Sequence, residues 1–256
     1  MRTIERFEYK YRISKTEYHQ IKNAILTYMD LDEYTLRAEG KKYLVKSLYL
    51  DTHDFEAYTD KCYGDYSRIK CRIRSYHDAF SDEMPISVEL KTRKGLQMKK
   101  YSVFVKGKEY EKFLKTRHWP ERNCQVLSEF ERLVHLKFLR PKTVVRYKRE
   151  GLVPKGREDF RVTFDHSVES VSSDCLFPKK PIFKGHDHHK GIVLEIKTLD
   201  VIPSWLQRII QQFGLRAISN SKYGQSIELT RKDIVMPMSD HMISSFYSMK
   251  GGNGRR

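Results

Sequence analysis

Long apolar runs are missing from this chain. No stretch approaches the roughly 20 residues that a bilayer-spanning helix needs. Met1-Arg2-Thr3 leads into charged residues rather than into the apolar core of a secretory signal. Cysteine is scarce as well. Cys62, Cys71, Cys124 and Cys175 form no Cys-x-x-Cys pair and show no metal-ligand spacing. That argues against a disulfide framework or a zinc module and fits reduced thiols in a cytoplasmic protein. Acidic charge is also in short supply, with 33 Asp+Glu against 49 Lys+Arg and a net charge of +16. Such a balance points to an anionic partner: a phosphate compound, nucleic acid or an anionic membrane surface. No repeat of fixed length and no linker divides the 256 residues. One domain over 1–236 is expected, followed by a loose Ser-, Met- and Gly-rich tail over 237–256.

What the chain does have is charge at every second position. Arg6, Glu8 and Lys10 alternate with Phe7, Tyr9 and Tyr11. Lys70, Arg72 and Arg74 alternate with Cys71 and Ile73, and Glu89, Lys91 and Arg93 follow Val88 and Leu90. Arg146 and Lys148 flank Tyr147, Arg161 and Asp165 share a parity, and Glu195 and Lys197 alternate with Leu194 and Ile196. Side chains two apart on a strand point to the same face. Each of these segments therefore carries a charged face and an apolar one.

Helical patterns lie between the strands. Ser14 and Glu17 have capping-box spacing before Tyr18, Ile21, Ile25 and Tyr28, so a helix is expected over about 15–29. Strands are expected near 4–13, 43–50, 67–76, 84–93, 98–105, 142–149, 159–166 and 190–198. Helices are expected near 54–61, 107–117, 122–138 and from Pro203 to Gly214, with a last strand or turn over 224–231. Residues 167–190 read as a polar loop, and the run His186–His189 inside it as solvated rather than metal-binding. The fold class is α+β, mainly antiparallel. The apolar helix faces need the apolar strand faces, which turns the charges inward in a closed eight-stranded tunnel with a polar, cationic lumen and helices outside. A cationic lumen is reasonable only if a polyanion or metal occupies it.

In this order, the segments around Arg6 to Lys10, Ser47 to Asp51, Lys70 to Arg74, Val88 to Lys91, Val145-Arg146, Arg161 to Asp165, Leu194 to Lys197 and Ser221-Lys222 resemble the VTC domain. This is the polyphosphate polymerase domain of the vacuolar transporter chaperone complex, in the triphosphate tunnel metalloenzyme (CYTH) superfamily. The resemblance covers about 4–231. It implies that Lys10, Arg72, Arg74, Lys91, Arg146, Arg161 and Lys222 hold phosphates and carry the transfer, with Lys99, Lys100 and Lys197 as further phosphate contacts. Glu195 is implied as the metal carboxylate, with Glu8 and Glu89 as candidates for a second site, for Mn²⁺ or Mg²⁺. The wider superfamily opens with an ExExK signature. Here Arg6 replaces its first Glu, which fits the VTC branch better than the cyclase or thiamine triphosphatase branches.

The implied reaction transfers the γ-phosphoryl of ATP to a growing inorganic polyphosphate chain. Two alternatives are a tunnel triphosphatase acting on inorganic or nucleoside triphosphate, and a non-enzymatic polyanion binder. Few aromatics share the cationic faces, so specific nucleic-acid binding is not expected. A membrane protein partner is the one expected route to membrane association.

Overall fold

The computed structural model describes residues 2–95, 97–120, 123–156, 160–186 and 191–234. The side chain of Arg6, His188 and His189, and the tail over 237–256 lie outside the described residues. The elements are β1 (Arg2–Ile13), α1 (Lys15–Leu26), β2 (Met29–Leu31), α2 (Glu33–Arg37), β3 (Tyr43–Asp51), α3 (Glu56–Tyr63), β4 (Ser67–Ser75), β5 (Pro85–Lys94) and β6 (Gln97–Lys106). Then come α4 (Gly107–Thr116), α5 (Gln125–Leu136), β7 (Arg140–Pro154), β8 (Phe160–Ser172), β9 (Lys184–Gly185), β10 (Ile192–Thr198), α6 (Ser204–Gln212) and α7 (Lys222–Thr230).

All strands pair antiparallel in one ten-stranded sheet, ordered β2-β7-β3-β4-β5-β6-β1-β10-β8-β9, and β7 also pairs with β8. The expected count of eight is exceeded by β2 and β9, which have only three and two residues. Among the described residues no helix is long and apolar enough to cross a membrane.

Local chemistry sets the boundaries. Ser14 and Glu17 form the capping box of α1, with Ser14 Oγ accepting from the Glu17 amide at 3.2 Å and Glu17 Oε2 from the Ser14 amide at 2.7 Å. Gly107 opens α4 where a Cβ would lie 2.1 Å from the Ser81 carbonyl, so no other residue fits without movement. Two expectations fail. Residues 222–230 form a helix, because the Ser221 hydroxyl caps it by accepting from the Gly224 amide at 3.1 Å. The supposed loop after 166 continues as β8 to Ser172, past Ser167 in the left-handed region (φ 49°), where the ladder with β7 shifts register. Such a bulge lets residues of opposite parity share a face.

Two apolar clusters lie on the face of the strands opposite the charged one. One packs Phe113, Phe130 and Leu133 of α4 and α5 against Leu48, Cys71, Ile73, Val88 and Leu90. The other packs Ile21, Ile25, Leu206 and Ile209 of α1 and α6 against Phe164, Leu194 and Ile196. Each fully buried side chain of this size contributes roughly 1.5–3 kcal/mol. A third cluster departs from the expectation that all helices lie outside. Phe55 and Tyr58, with Tyr223 and Ile227 of α7, pack on Val45, Tyr49, Val145 and Tyr147. Tyr49 lies on the charged face, 3.4 Å from Arg72 Nη1.

Candidate anion-binding site

Alternation on β4 sends Cys71 and Ile73 to the core and leaves Lys70, Arg72 and Arg74 on the other face. Ladder partners bring matching side chains beside them. Arg72 Nε donates to Glu89 Oε2 at 2.6 Å, and Arg74 Nε to the Ser47 hydroxyl at 3.0 Å. Lys100 Nζ is 3.5 Å from Glu89, whose Oε1 also accepts from the Ser87 hydroxyl at 3.1 Å. Lys91 Nζ donates to Glu8 at 2.9 Å, reaching past β6. Lys10 Nζ lies between two carboxylates, 3.7 Å from Glu8 and 3.9 Å from Glu195. Glu195 also meets Lys197 at 3.1 Å and Arg149 at 3.3 Å.

Asp165 joins this face to α7. Arg149 holds it through Nε at 2.6 Å and Nη2 at 2.8 Å, and Lys222 Nζ approaches it to 2.6 Å. Lys10 Nζ also donates to the Asn220 carbonyl at 3.2 Å, and Lys70 Nζ to the Ser221 hydroxyl at 3.0 Å. The start of α7 therefore crosses the cationic face. Tyr223 anchors it by donating to Asp51, whose Oδ1 caps α3 through the Ala57 amide at 3.0 Å. His186 adds another tie, bonding Ser170 and approaching Gln225 Oε1 to 3.3 Å.

The cations outnumber the carboxylates on this face, and the titration follows. Burial alone would raise Glu89, but Arg72, Arg74 and Lys100 outweigh it and hold its carboxyl well below the usual range. Burial is likewise outweighed at Asp165 by Arg149 and Lys222, and at Glu195 by Lys197, Lys10 and Arg149. Glu8 is lowered too: burial and the neighbouring Glu195 raise it, but Lys91, Lys197 and Lys10 together outweigh them. Lys70 behaves differently. Burial, then Lys91 and Lys10, push its ammonium down to about 7. Like Lys91 and Lys100, it would gain from an anion beside it.

The structure thus brings together Lys10, Arg72, Arg74, Lys91, Lys100, Lys197, Lys222, Glu8, Glu89 and Glu195. Arg146 lies elsewhere. It pairs with Glu169 at 2.7 Å and stacks on Phe183, at the parity opposite Tyr147 and Arg149. Arg161 sits on β8 opposite Lys197 and is engaged by Asp32 and by the Tyr43 hydroxyl at 3.1 Å. Lys99 pairs with Thr92, one step out of phase with Lys100. Sequence reasoning missed Arg149, Asp165 and Lys70 as site residues. The period-two pattern carried Lys70 beside Arg72, and the Arg161/Asp165 parity carried Asp165. Nothing marked Arg149, because charges stand on both parities at Arg146, Lys148, Arg149 and Glu150.

Two carboxylates suit a hard divalent cation, which takes one or two protein oxygens together with phosphate oxygens. Glu8 and Glu195 are on neighbouring strands, both hold their charge, and they share Lys10. Glu89 fits less well, because the Arg72 guanidinium holds it at 2.6 and 2.5 Å, where Glu8 and Glu195 meet mainly flexible lysines.

The VTC domain family model matches residues 5–231. The chain belongs to the VTC domain family. A comparison with curated proteins finds no match. This VTC domain shares its fold with a Bacillus halodurans protein assigned as an adenylate cyclase. The two are 16% identical with a TM-score of 0.52, over 86% of this chain and 96% of that one. A Hippeastrum protein, described as an adenylyl cyclase with a dominant triphosphatase activity, is 14% identical with a TM-score of 0.48. That match covers 91% of this chain and 99% of the other.

Proposed function

We propose that this VTC domain is a metal-dependent polyphosphate polymerase that transfers the γ-phosphoryl of ATP to the end of a phosphate chain. In this reading the longer strands enclose a tunnel, supported by the ladders of β7 with both β3 and β8. The observation that carries the proposal is the cationic face itself, where Arg72, Arg74, Arg149, Lys10, Lys70, Lys91 and Lys222 exceed the carboxylates among them. Phosphoryl transfer needs positioning and neutralisation more than covalent help. Arg72 and Arg74 offer forked donors matched to phosphate oxygens. A terminal phosphate oxygen of the chain is already anionic. It attacks phosphorus in line, the bond to the β–γ bridging oxygen breaks, and ADP leaves. No protein base is needed, and Glu8 and Glu89 are poor ones because cations hold them ionised. Glu195 and Glu8 would hold a divalent metal such as Mn²⁺ or Mg²⁺, which would supply further neutralisation of the triphosphate.

A second reading is a triphosphatase, in which the same cationic face holds the triphosphate and water attacks in place of the phosphate chain. Product analysis after ATP and Mn²⁺ separates the two. Chains that lengthen with ADP release support the polymerase; orthophosphate without chain growth supports the hydrolase. Absence of any turnover removes both.

A further inference from the structure

Away from the cationic face, His118, Glu131 and His135 meet where the segment after α4 crosses α5. One donor atom from each lies within 4.8 Å of the others. We propose that these three side chains form a binding site for a borderline transition-metal dication of the zinc class, distinct from the carboxylate pair Glu8 and Glu195.

The donor set decides the metal class. Two imidazoles and one carboxylate suit Zn²⁺, whereas Mg²⁺ and Mn²⁺ favour oxygen ligands. Glu131 and His135 are four apart on α5, so they share a helix face. His118 reaches them from the connection, with Nδ1 2.7 Å from Glu131 Oε1, and its ring stacks on that of His135 with centroids 4.8 Å apart.

The surrounding bonds orient these donors. His135 Nε2 lies 3.2 Å from the Arg117 carbonyl. A carbonyl only accepts, so Nε2 carries the proton and Nδ1 keeps the lone pair. A ring N–H held by a backbone carbonyl is the usual companion of a metal-ligating histidine. Glu131 is fixed too, because its Oε2 accepts from the Trp119 amide at 2.8 Å while Oε1 faces His118. Arg132, the nearby cation, is turned away into a two-pronged pair with Glu129 at 2.7 and 2.8 Å.

Zinc bonds of about 2.0–2.1 Å place tetrahedral donors about 3.4 Å apart, so closure needs a change in separation of no more than about 1.4 Å at the side-chain tips. His118 and His135 are exposed and free to make it. Three protein ligands leave a coordination position open. It would face a surface cavity of about 650 Å³ that Trp119, Leu127, Glu131 and His135 help to line.

The test is a Zn²⁺ titration of the tag-free full chain in excess Mg²⁺, read by calorimetry and by bound-metal analysis, with Co²⁺ absorption as the spectroscopic readout. The expected result is one tight Zn²⁺ per chain and a zinc-induced rise in melting temperature. His118→Ala with His135→Ala should abolish both, and Glu131→Gln should weaken binding at least tenfold. Glu195→Gln should leave this binding intact. The proposal is overturned if the wild type binds no Zn²⁺ in excess Mg²⁺, or if the double histidine variant binds it with unchanged affinity. Because the two histidines are exposed, an unchanged melting temperature without metal will show that the variant is folded.

Discussion

Arg149 grips Asp165 with two parallel hydrogen bonds, at 2.6 and 2.8 Å, while Lys222 takes the same carboxylate from the other side at 2.6 Å. Asp165 is fully buried. Removing one member of a buried ionic set leaves the others uncompensated, which costs about 3–5 kcal/mol. Asp165→Asn is therefore expected to lower unfolding free energy by that order in a urea titration. A bound polyanion would supply the missing negative charge. Saturating tripolyphosphate should recover more stability in Asp165→Asn than it adds to the wild type.

Arg72 and Arg146 give a sharper contrast, because both are strand arginines but on opposite faces. A charge-assisted hydrogen bond is worth about 1.5–3 kcal/mol, or roughly 10- to 150-fold in affinity. Arg72→Ala is expected to weaken tripolyphosphate binding within that range. Arg146→Ala loses only the pairing with Glu169 and the stack on Phe183, and should change affinity less than twofold. Equal losses in a calorimetric titration would refute the assignment of faces.

The same pair shows what was legible in the sequence. Lys70, Arg72 and Arg74 could be placed because one parity is charged and the other apolar, so burial has a single solution. At 146–150 the charges occupy both parities. Burial of Tyr147 between Arg149 and Lys222 decides the face, and that information is tertiary. Ser167 is a second case. Its positive φ reverses the parity of β8, so Val168 packs with Tyr49, Tyr147 and Tyr223 on the face that carries Asp165, and alternation alone would have separated them. The helix 222–230 was readable in principle from Ser221 as a cap, but the residues that follow have a mixed pattern that also suits a strand. Asp32, which caps α2 and engages Arg161, carried an N-cap signal through Thr35 that went unused.

Lys70 should make anion binding depend on pH. Its folded ammonium is lowered to about 7 by burial and neighbouring cations, against an ordinary value near 10.5. A phosphate bound beside it raises that value again. Between about pH 7 and 10, binding then takes up a proton, so affinity falls as pH rises. ATP is the better probe, since its terminal phosphate is largely ionised above pH 7.5. Calorimetry in buffers of different ionisation enthalpy at pH 8 should report proton uptake in the wild type and less of it in Lys70→Gln. For folding without ligand the sign is opposite. The unfolded chain binds the Lys70 proton more tightly, so this group adds stability as pH rises from about 7 toward 10.5.

Glu195 and Glu89 separate metal binding from charge pairing. Both are buried and held below the usual carboxylate range, so titration behaviour alone does not tell them apart. Their neighbours do. Glu89 is locked by the Arg72 guanidinium at 2.6 Å and by the Ser87 hydroxyl at 3.1 Å, whereas Lys197, Arg149 and Lys10 stand 3.1, 3.3 and 3.9 Å from Glu195, a looser arrangement that a dication would reorganise. Glu195→Gln is expected to lower Mn²⁺ affinity in the presence of tripolyphosphate at least tenfold, measured by electron paramagnetic resonance, and to cost stability as well, because Lys10, Lys197 and Arg149 lose a shared partner. Glu89→Gln should leave Mn²⁺ affinity within about threefold of wild type. It should cost about 3 kcal/mol or more in stability, because Arg72, Arg74 and Lys100 lose their shared partner. The reverse pattern, with metal affinity lost in Glu89→Gln and kept in Glu195→Gln, would move the metal to the other side of the cationic face and overturn the pairing of Glu195 with Glu8.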